Sequence, residues 1–363
     1  MAATVIKLGS AVVATDDGEL RVDVLARICA ALAAARAGGE EIVIVTSGAI
    51  ASGTRALALP GRPTAIAELQ AASAVGQGRL YRVYDELLSG HGALTAQVLL
   101  TFADVSQRES YLNARQTLGK LLDWGVVPVV NENDTTATDE ISFGDNDFLA
   151  AQVAILVGAG RLIILTNSDG LFTADPRRDP GATLVERVED FAALDALEIT
   201  QSTSAHGSGG MRSKVVAADM ATAAGIETVI CSGARDGVLA RVLAGEREGT
   251  LFAPRGGRYS SFKLWLRYAK PTRGTIVVDA GAARALREGG TSLLPVGILE
   301  VRGEFGQGDA VDIVHGPALI GKGICNYAAA ELRAVAGRNT RAVHELLPHA
   351  IEEAVHRDYF VLA

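Results

Sequence analysis

Four short polar clusters in this chain could do chemistry with anions, and each follows a run typical of a buried strand. Lys7-Leu8-Gly9-Ser10 comes directly after Val5-Ile6. A lysine beside a glycine suits a phosphate, because it sets a point charge next to backbone that can approach closely. A surface lysine before a turn would read the same. Thr46-Ser47-Gly48-Ala49 follows Ile42-Val43-Ile44-Val45 and opens a helix. Exposed N–H groups at a helix start bind anions, and the Ser47 hydroxyl adds a donor; helix capping by Ser47 is the alternative. The stretch does not match the GxSxG nucleophile elbow. Asn131-Glu132-Asn133-Asp134 follows Val126–Val130 and leads on to Gly144-Asp145-Asn146-Asp147. Amides and carboxylates this dense can hold an amino group or order lysines, or they form a solvated loop; their spacing is not that of an EF-hand. Finally, Gly207-Ser208-Gly209-Gly210-Met211-Arg212-Ser213-Lys214 runs into a helix expected at Val215–Ala224. Its glycines let backbone wrap phosphates, and its lysine neutralises charge that builds during transfer. Lys214 does not have the Walker A spacing, and a plain flexible turn is the other reading.

Two lysines, two Gly-rich loops and an acidic cluster at strand ends together point to phosphoryl transfer, where catalysis is mainly positioning and charge neutralisation. A carboxylate acceptor needs no general base, because a free side-chain carboxyl titrates near pH ~4 and is ionised at neutrality. The histidines agree. Only His91 and His206 fall in the first two thirds of the chain, and neither sits in a metal-like cluster. That argues against zinc chemistry and Ser-His hydrolysis.

The elements that must carry these clusters alternate. Val5-Ile6, Ile42–Val45, Val126–Val130, Leu162–Leu165 and Thr228-Val229-Ile230 read as strands buried on both faces. Between them lie helical stretches such as Val22, Leu25, Ile28, Cys29 and Leu32 on one face, ended by Gly38-Gly39. The expected class is therefore α/β, a mostly parallel open sheet sandwiched by helices. In such sheets ligands bind beyond the carboxyl ends of the strands, where all four clusters lie. After residue 253 the pattern changes. Pro254–Gly274 holds six Lys or Arg and no acid, and residues 254–271 read as a linker. Thr275–Val278, Gly297–Arg302 and Ala310–Val314 read as short strands between Gly-rich turns, a small mainly-β unit spanning 272–363. Its tail, Val343–Val355, reads as helix.

Composition sets outer bounds. A chain of 363 residues suits two domains, and 48% hydrophobic with 21% charged residues is a globular profile. No stretch approaches the roughly 20 apolar residues of a membrane span, and Met1–Leu8 lacks the pattern of a signal peptide, so a cytoplasmic location is expected. The net charge of −8 gives no global pull on nucleic acid. Cys29, Cys231 and Cys325 are far apart and read as buried free thiols.

These residues resemble the glutamate 5-kinase branch of the amino acid kinase family. The resemblance rests on Val5–Ser10, Val45–Ala51, Val129–Asp134, Gly144–Asp147, Gly170–Pro176 and Gly209–Lys214, in the family's order over nearly the whole chain. It implies ATP-dependent phosphorylation of the γ-carboxylate of L-glutamate with Mg²⁺, the first step of proline synthesis, in a cytoplasmic homo-oligomer (dimer or tetramer) with proline as feedback inhibitor. It also implies roles. Lys7 and Lys214 stabilise the transferring phosphoryl group, and Asp147 holds both. Ser47, Asn133, Asp134 and Asn146 bind glutamate. Thr166, Asn167, Ser208, Gly209, Gly210, Met211, Arg212, Ser213, Lys7 and Lys214 contact ATP, and no residue is assigned to a metal. Two departures stand out: Asn167 where the family usually has Asp, and Ser208 and Ser213 where threonines are usual. Residues 272–347 resemble a PUA domain, a fold associated with RNA elsewhere. Residues 271–363, however, carry nine Lys/Arg against eleven Asp/Glu, a net of −2, so RNA is not an expected partner.

Overall fold

The computed structural model describes the whole chain except Met1 and residues 102–103, 106–107, 137–145, 192–193, 195–209, 257–262, 264–265, 268–271 and 348–350. It consists of two compact units, residues 1–258 and 259–363.

In the first unit the elements run β1 (Thr4–Leu8), α1 (Ser10–Val13), α2 (Val22–Ala37), β2 (Ile42–Val45), α3 (Ala49–Ala56), α4 (Ile66–Ser89), β3 (Thr95–Leu100), α5 (Arg108–Asp123), β4 (Val127–Glu132), α6 (Asn146–Val157), β5 (Arg161–Thr166), β6 (Arg187–Val188), α7 (Met211–Ala223), β7 (Glu227–Ser232), α8 (Val238–Leu243) and β8 (Thr250–Phe252). The eight strands form one sheet in the order β3-β4-β2-β1-β5-β7-β8-β6. Every neighbouring pair is parallel except β7 with β8. From β1 the chain adds β2, reaches the far edge at β3, returns to set β4 between β3 and β2, and then crosses to add β5 on the other side of β1. The parallel central strands therefore share one carboxyl edge, where Lys7, Ser47, Asn131 and Thr166 all lie. β1 and β2 are buried along their full length, the two-faced burial that their continuous apolar runs demand.

The sheet is wider than the five strands expected. β3 was not legible because its faces are half exposed and its apolar alternation is weak. β6 and β8 have two and three residues, too few to show any period. One boundary also moves: α7 begins at Met211 rather than Val215, so Lys214 belongs to a helical first turn.

Helices α3 and α4 pack at unusually close range. A methyl group on Gly76 would overlap the Ala49 carbonyl, and one on Gly53 would overlap the Ala72 carbonyl. Both obstacles are backbone and cannot rotate away. Gly76→Ala therefore loses about 2 to 3 kcal/mol, despite the ~1 kcal/mol that alanine gains over glycine within a helix. Urea denaturation monitored by circular dichroism measures this, and a neutral or stabilised variant would contradict the contact.

The second unit contains β9 (Thr272–Val278), α9 (Ala280–Gly289), β10 (Ile298–Gly303), β11 (Ala310–His315), β12 (Ala318–Ile324), α10 (Ala329–Val335), α11 (Thr340–Leu346) and β13 (Phe360–Leu362). Its five-stranded sheet has the order β10-β9-β11-β12-β13, with only β9 and β11 parallel. Its core gathers Ile276, Val278, Leu286, Ile313, Tyr327 and Phe360. The tail departs from the helix expected over Val343–Val355. The helix stops at Leu346, and Val355 instead bridges to Leu293. Pro348 explains the stop, since the residue before a proline is pushed out of the helical region and Leu347 has φ −132° and ψ 82°.

Candidate active site

Lys7 occupies the next-to-last position of β1 and is 2% exposed, which excludes the reading as a surface lysine before a turn. Its Nζ lies 2.5 Å from Asp147 Oδ1. Lys214 Nζ reaches the other oxygen, Asp147 Oδ2, at 2.9 Å. Asp147 itself is fully buried. One carboxylate thus spans two ammonium groups brought from sequence positions 140 and 67 residues away. The trio has a net charge of +1 in the interior, complementary to a polyphosphate. Burial acts to raise the Asp147 pKa, but Lys214 and Lys7 outweigh it and hold the carboxyl well below its ordinary range.

The local sequence explains the arrangement. α6 is buried on nearly all its faces, as its run of Phe, Leu, Ala and Val requires. Asp147 sits in its first turn, where the helix dipole favours a negative charge. Lys214 sits in the first turn of α7, the helix packed beside α6. Ser213, on the same turn, sets its Oγ 3.0 Å from Asp147 Oδ2 and 2.8 Å from the Gly210 carbonyl.

A second group lies along the same sheet edge. Gly48 has φ 103° and caps α3 without a side-chain hydrogen bond, so Ser47 is not the helix cap. Its Oγ instead accepts from Asn146 Nδ2 at 3.1 Å. Asn146 Nδ2 also donates to Asn131 Oδ1 at 3.0 Å. Asp134 accepts from Ser73 at 2.5 Å. Burial raises the Asp134 pKa, and the Ser73 hydrogen bond and the nearby Arg62 offset this only in part.

Not every expected residue joins these groups. Asn133 turns its Oδ1 back to Thr135 within its own loop, at 2.5 Å. Thr166 ends β5 and is buried, with its Oγ1 3.3 Å from Asn167 Oδ1, and Asn167 is exposed. Gly9 N donates to the Leu165 carbonyl, and Gly233 N to that of Thr166, so the end of β5 meets the loops after β1 and β7. Gly210 and Met211 are partly buried and Arg212 is exposed. Ser208 and Gly209 lie outside the described residues, as do Gly144 and Asp145. The three cysteines are buried and free; burial pushes the thiols of Cys29 and Cys231 up to about 12, which makes them poor nucleophiles.

The sequence reading passed over one element. α4 presents Ser73, Gln77 and Tyr84 on a single stripe, at spacings of four and seven residues. Each is buried and each meets a residue of the sheet edge: Ser73 meets Asp134, Gln77 meets Asn131 at 2.6 Å, and Tyr84 meets Thr46 at 2.8 Å. The available signal was three hydrogen-bonding residues at helical spacing within the apolar face formed by Ala72, Gly76, Leu80 and Leu88.

Among the described residues no group of three or more His, Cys, Asp or Glu side chains could hold a metal ion, and no helix is long and apolar enough to cross a membrane.

Comparison with known proteins gives the family. The amino acid kinase family model matches residues 2–232 and the PUA domain model residues 274–347. A glutamate 5-kinase of Meiothermus ruber is 48% identical over 361 residues, covering 99% of this chain and 95% of that protein. Glutamate 5-kinases of Pseudomonas putida and Burkholderia mallei are each 46% identical, covering 99% of this chain and 97% of theirs. With more than half its length matched by one family model and near-complete coverage of these relatives, the chain belongs to the amino acid kinase family, and within it to the glutamate 5-kinases, with a PUA domain behind the kinase domain.

Proposed function

We propose that this chain transfers the γ-phosphoryl group of ATP to the γ-carboxylate of L-glutamate, giving γ-glutamyl phosphate and ADP as the first step of proline synthesis. The observation that carries the reaction class is the buried carboxylate of Asp147 shared by Lys7 and Lys214 at the carboxyl edge of the sheet. The substrate follows from the full-length similarity to glutamate 5-kinases.

In this reading a γ-carboxylate oxygen attacks the γ-phosphorus, one O–P bond forms, and the bond to the bridging oxygen of ADP breaks. The nucleophile is already ionised, so no proton moves and no general base is needed. Lys7 and Lys214 neutralise the oxygens of the transferring group, and Asp147 holds both ammonium groups in place before substrate arrives. Ser213 belongs to this arrangement through Asp147 as well as to the nucleotide side. Ser47, Asp134 and Asn146 hold glutamate, with Asn133 at the rim. Thr166, Asn167 and the loop of Ser208, Gly209, Gly210, Met211 and Arg212 hold the nucleotide. Magnesium enters with ATP, bound to phosphate oxygens as is usual for this ion. The protein works in the cytoplasm as a dimer or tetramer, with proline competing at the glutamate subsite.

The test is an acyl-phosphate trap. Protein, ATP, Mg²⁺ and hydroxylamine are mixed separately with glutamate, aspartate, N-acetylglutamate and UMP, and hydroxamate and ADP are measured. Glutamate-dependent hydroxamate is expected; turnover with another substrate alone, or with none, refutes the reading.

Asp134 gives a second, independent test. Its folded pKa is raised, so its ionised form costs stability at neutral pH, and that cost disappears as pH falls through the raised value. An asparagine side chain at this position would be neutral and could still accept from Ser73. Asp134→Asn is therefore expected to raise Tm while raising the glutamate KM about 10- to 100-fold, the worth of one charge-assisted hydrogen bond. A lower Tm with an unchanged KM would make Asp134 a structural residue.

A further inference from the structure

A chain of buried side-chain amides runs from α4 to the substrate-side cluster. Asn131 Nδ2 donates to Gln77 Oε1 at 2.6 Å. Asn131 Oδ1 accepts from Asn146 Nδ2 at 3.0 Å, and the same nitrogen donates to Ser47 Oγ at 3.1 Å. Asn131 and Gln77 are 2% and 8% exposed, so water does not compete for these bonds. The chain has a direction. An amide nitrogen has two N–H groups, and both of those on Asn146 are taken by the protein. Its oxygen, Oδ1, is buried and has no partner among the described residues. A buried acceptor left open calls for a donor that arrives later.

In this structure Gln77 presents its oxygen to Asn131. Because Gln77 offers an oxygen, Asn131 must turn its nitrogen toward α4 and its oxygen toward Asn146. That in turn commits the Asn146 nitrogen to the protein and leaves its oxygen open. α4 itself has little freedom, since Gly76, the neighbour of Gln77, lies against the Ala49 carbonyl with no room for a Cβ.

We propose that Gln77 is a positioning residue that acts through Asn131 to present Asn146 Oδ1 as an acceptor for the α-ammonium group of the amino acid substrate, and so helps select a free amino acid over a dicarboxylate lacking that group. This rests on the reading of Asn146 as a glutamate-binding residue. Gln77 touches no substrate; its influence travels through two amides.

The experiment compares wild type, Gln77→Met and Gln77→Glu in the hydroxamate assay. The readouts are kcat, the KM values for glutamate and ATP, and the inhibition constant of glutarate, which keeps both carboxylates and lacks the amino group. Methionine keeps the length but accepts only weakly, whereas glutamate at this position retains an oxygen for Asn131. Gln77→Met is expected to raise the glutamate KM about tenfold, the worth of one hydrogen bond to a charged group. The ATP KM, kcat and the glutarate constant should stay within about twofold, and Gln77→Glu should return the glutamate KM to within about threefold of wild type. Equal losses toward glutamate and glutarate, or no loss at all, would overturn the proposal. Should Gln77→Met not fold, Gln77→Glu decides alone: a near-wild-type KM supports the acceptor role and a rise of about tenfold refutes it. A wild-type protein with no glutamate turnover would instead refute the functional reading, which separates the two failures.

Discussion

Replacing Asp147 by asparagine is expected to lower kcat by two to three orders of magnitude while leaving the glutamate KM within a few-fold of wild type. Asparagine has nearly the same shape but no charge. It would leave Lys7 and Lys214 as two buried ammonium groups converging on one neutral side chain, where a fully buried carboxylate now lies within 2.9 Å of both. Their mutual repulsion would displace the two charges proposed to meet the transferring phosphoryl group. Loss of such preorganised stabilisation costs roughly 10²- to 10³-fold in kcat. The glutamate contacts proposed for Ser47, Asp134 and Asn146 do not depend on this charge. If only the KM rose and kcat held, Asp147 would be a substrate contact instead.

The same substitution is expected to destabilise the fold by about 3 to 5 kcal/mol, because it removes one member of a buried ionic group and strands its partners. The pH dependence has a definite sign. The folded-state pKa of Asp147 lies below the ordinary value of 3.8, so the stabilisation is fully present above about pH 4 and disappears as pH falls through the depressed folded value. The stability gap between wild type and Asp147→Asn should therefore be constant near neutral pH and narrow only in strong acid. Urea denaturation at about pH 7, 5 and 3 reads this directly. A gap that already narrows between the first two would contradict the depressed pKa.

Lys214→Met makes the contrasting case. It is expected to cost roughly 10²-fold or more in kcat with a smaller loss of stability. Methionine fills similar space, and the remaining Lys7–Asp147 pair is electrically balanced, so no charge is left alone in the interior. The ratio of the two effects is the informative quantity. Asp147→Asn should damage stability and rate together, whereas Lys214→Met should separate them. Near-normal turnover in Lys214→Met would remove Lys214 from the catalytic assignment. Thermal melts alongside steady-state rates in the hydroxamate assay supply both numbers.

Much of this was legible in the chain. The β-branched runs at residues 5–6, 42–45, 162–165 and 228–230 each became part of a strand, because continuous apolar stretches of that length bury on both faces only in a covered parallel sheet. Once the sheet was parallel, polar residues just after those runs had to share one edge. Strands β3, β6 and β8 escaped notice because partial exposure or brevity erased their pattern. The helix expected through Val355 stopped at Leu346, ahead of Pro348.

Residue types and their order along the chain were enough to determine the α/β class and to mark the lysines at positions 7 and 214 and an acid cluster near 147 as candidates, since propensity and periodicity are local properties. Only the tertiary structure decided that Asp147 grips both lysines at once, that Asn131 joins the cluster while Asn133 bonds within its own loop, and that Ser73, Gln77 and Tyr84 of α4 bond to Asp134, Asn131 and Thr46. Apart from the local Asn131–Asn146 and Asn133–Thr135 bonds, those pairings join residues 38 to 140 positions apart. They depend on which helices pack against which strands and at what rotation, and a hydrogen bond that tolerates a few tenths of an ångström is set by that packing rather than by any pattern along the chain.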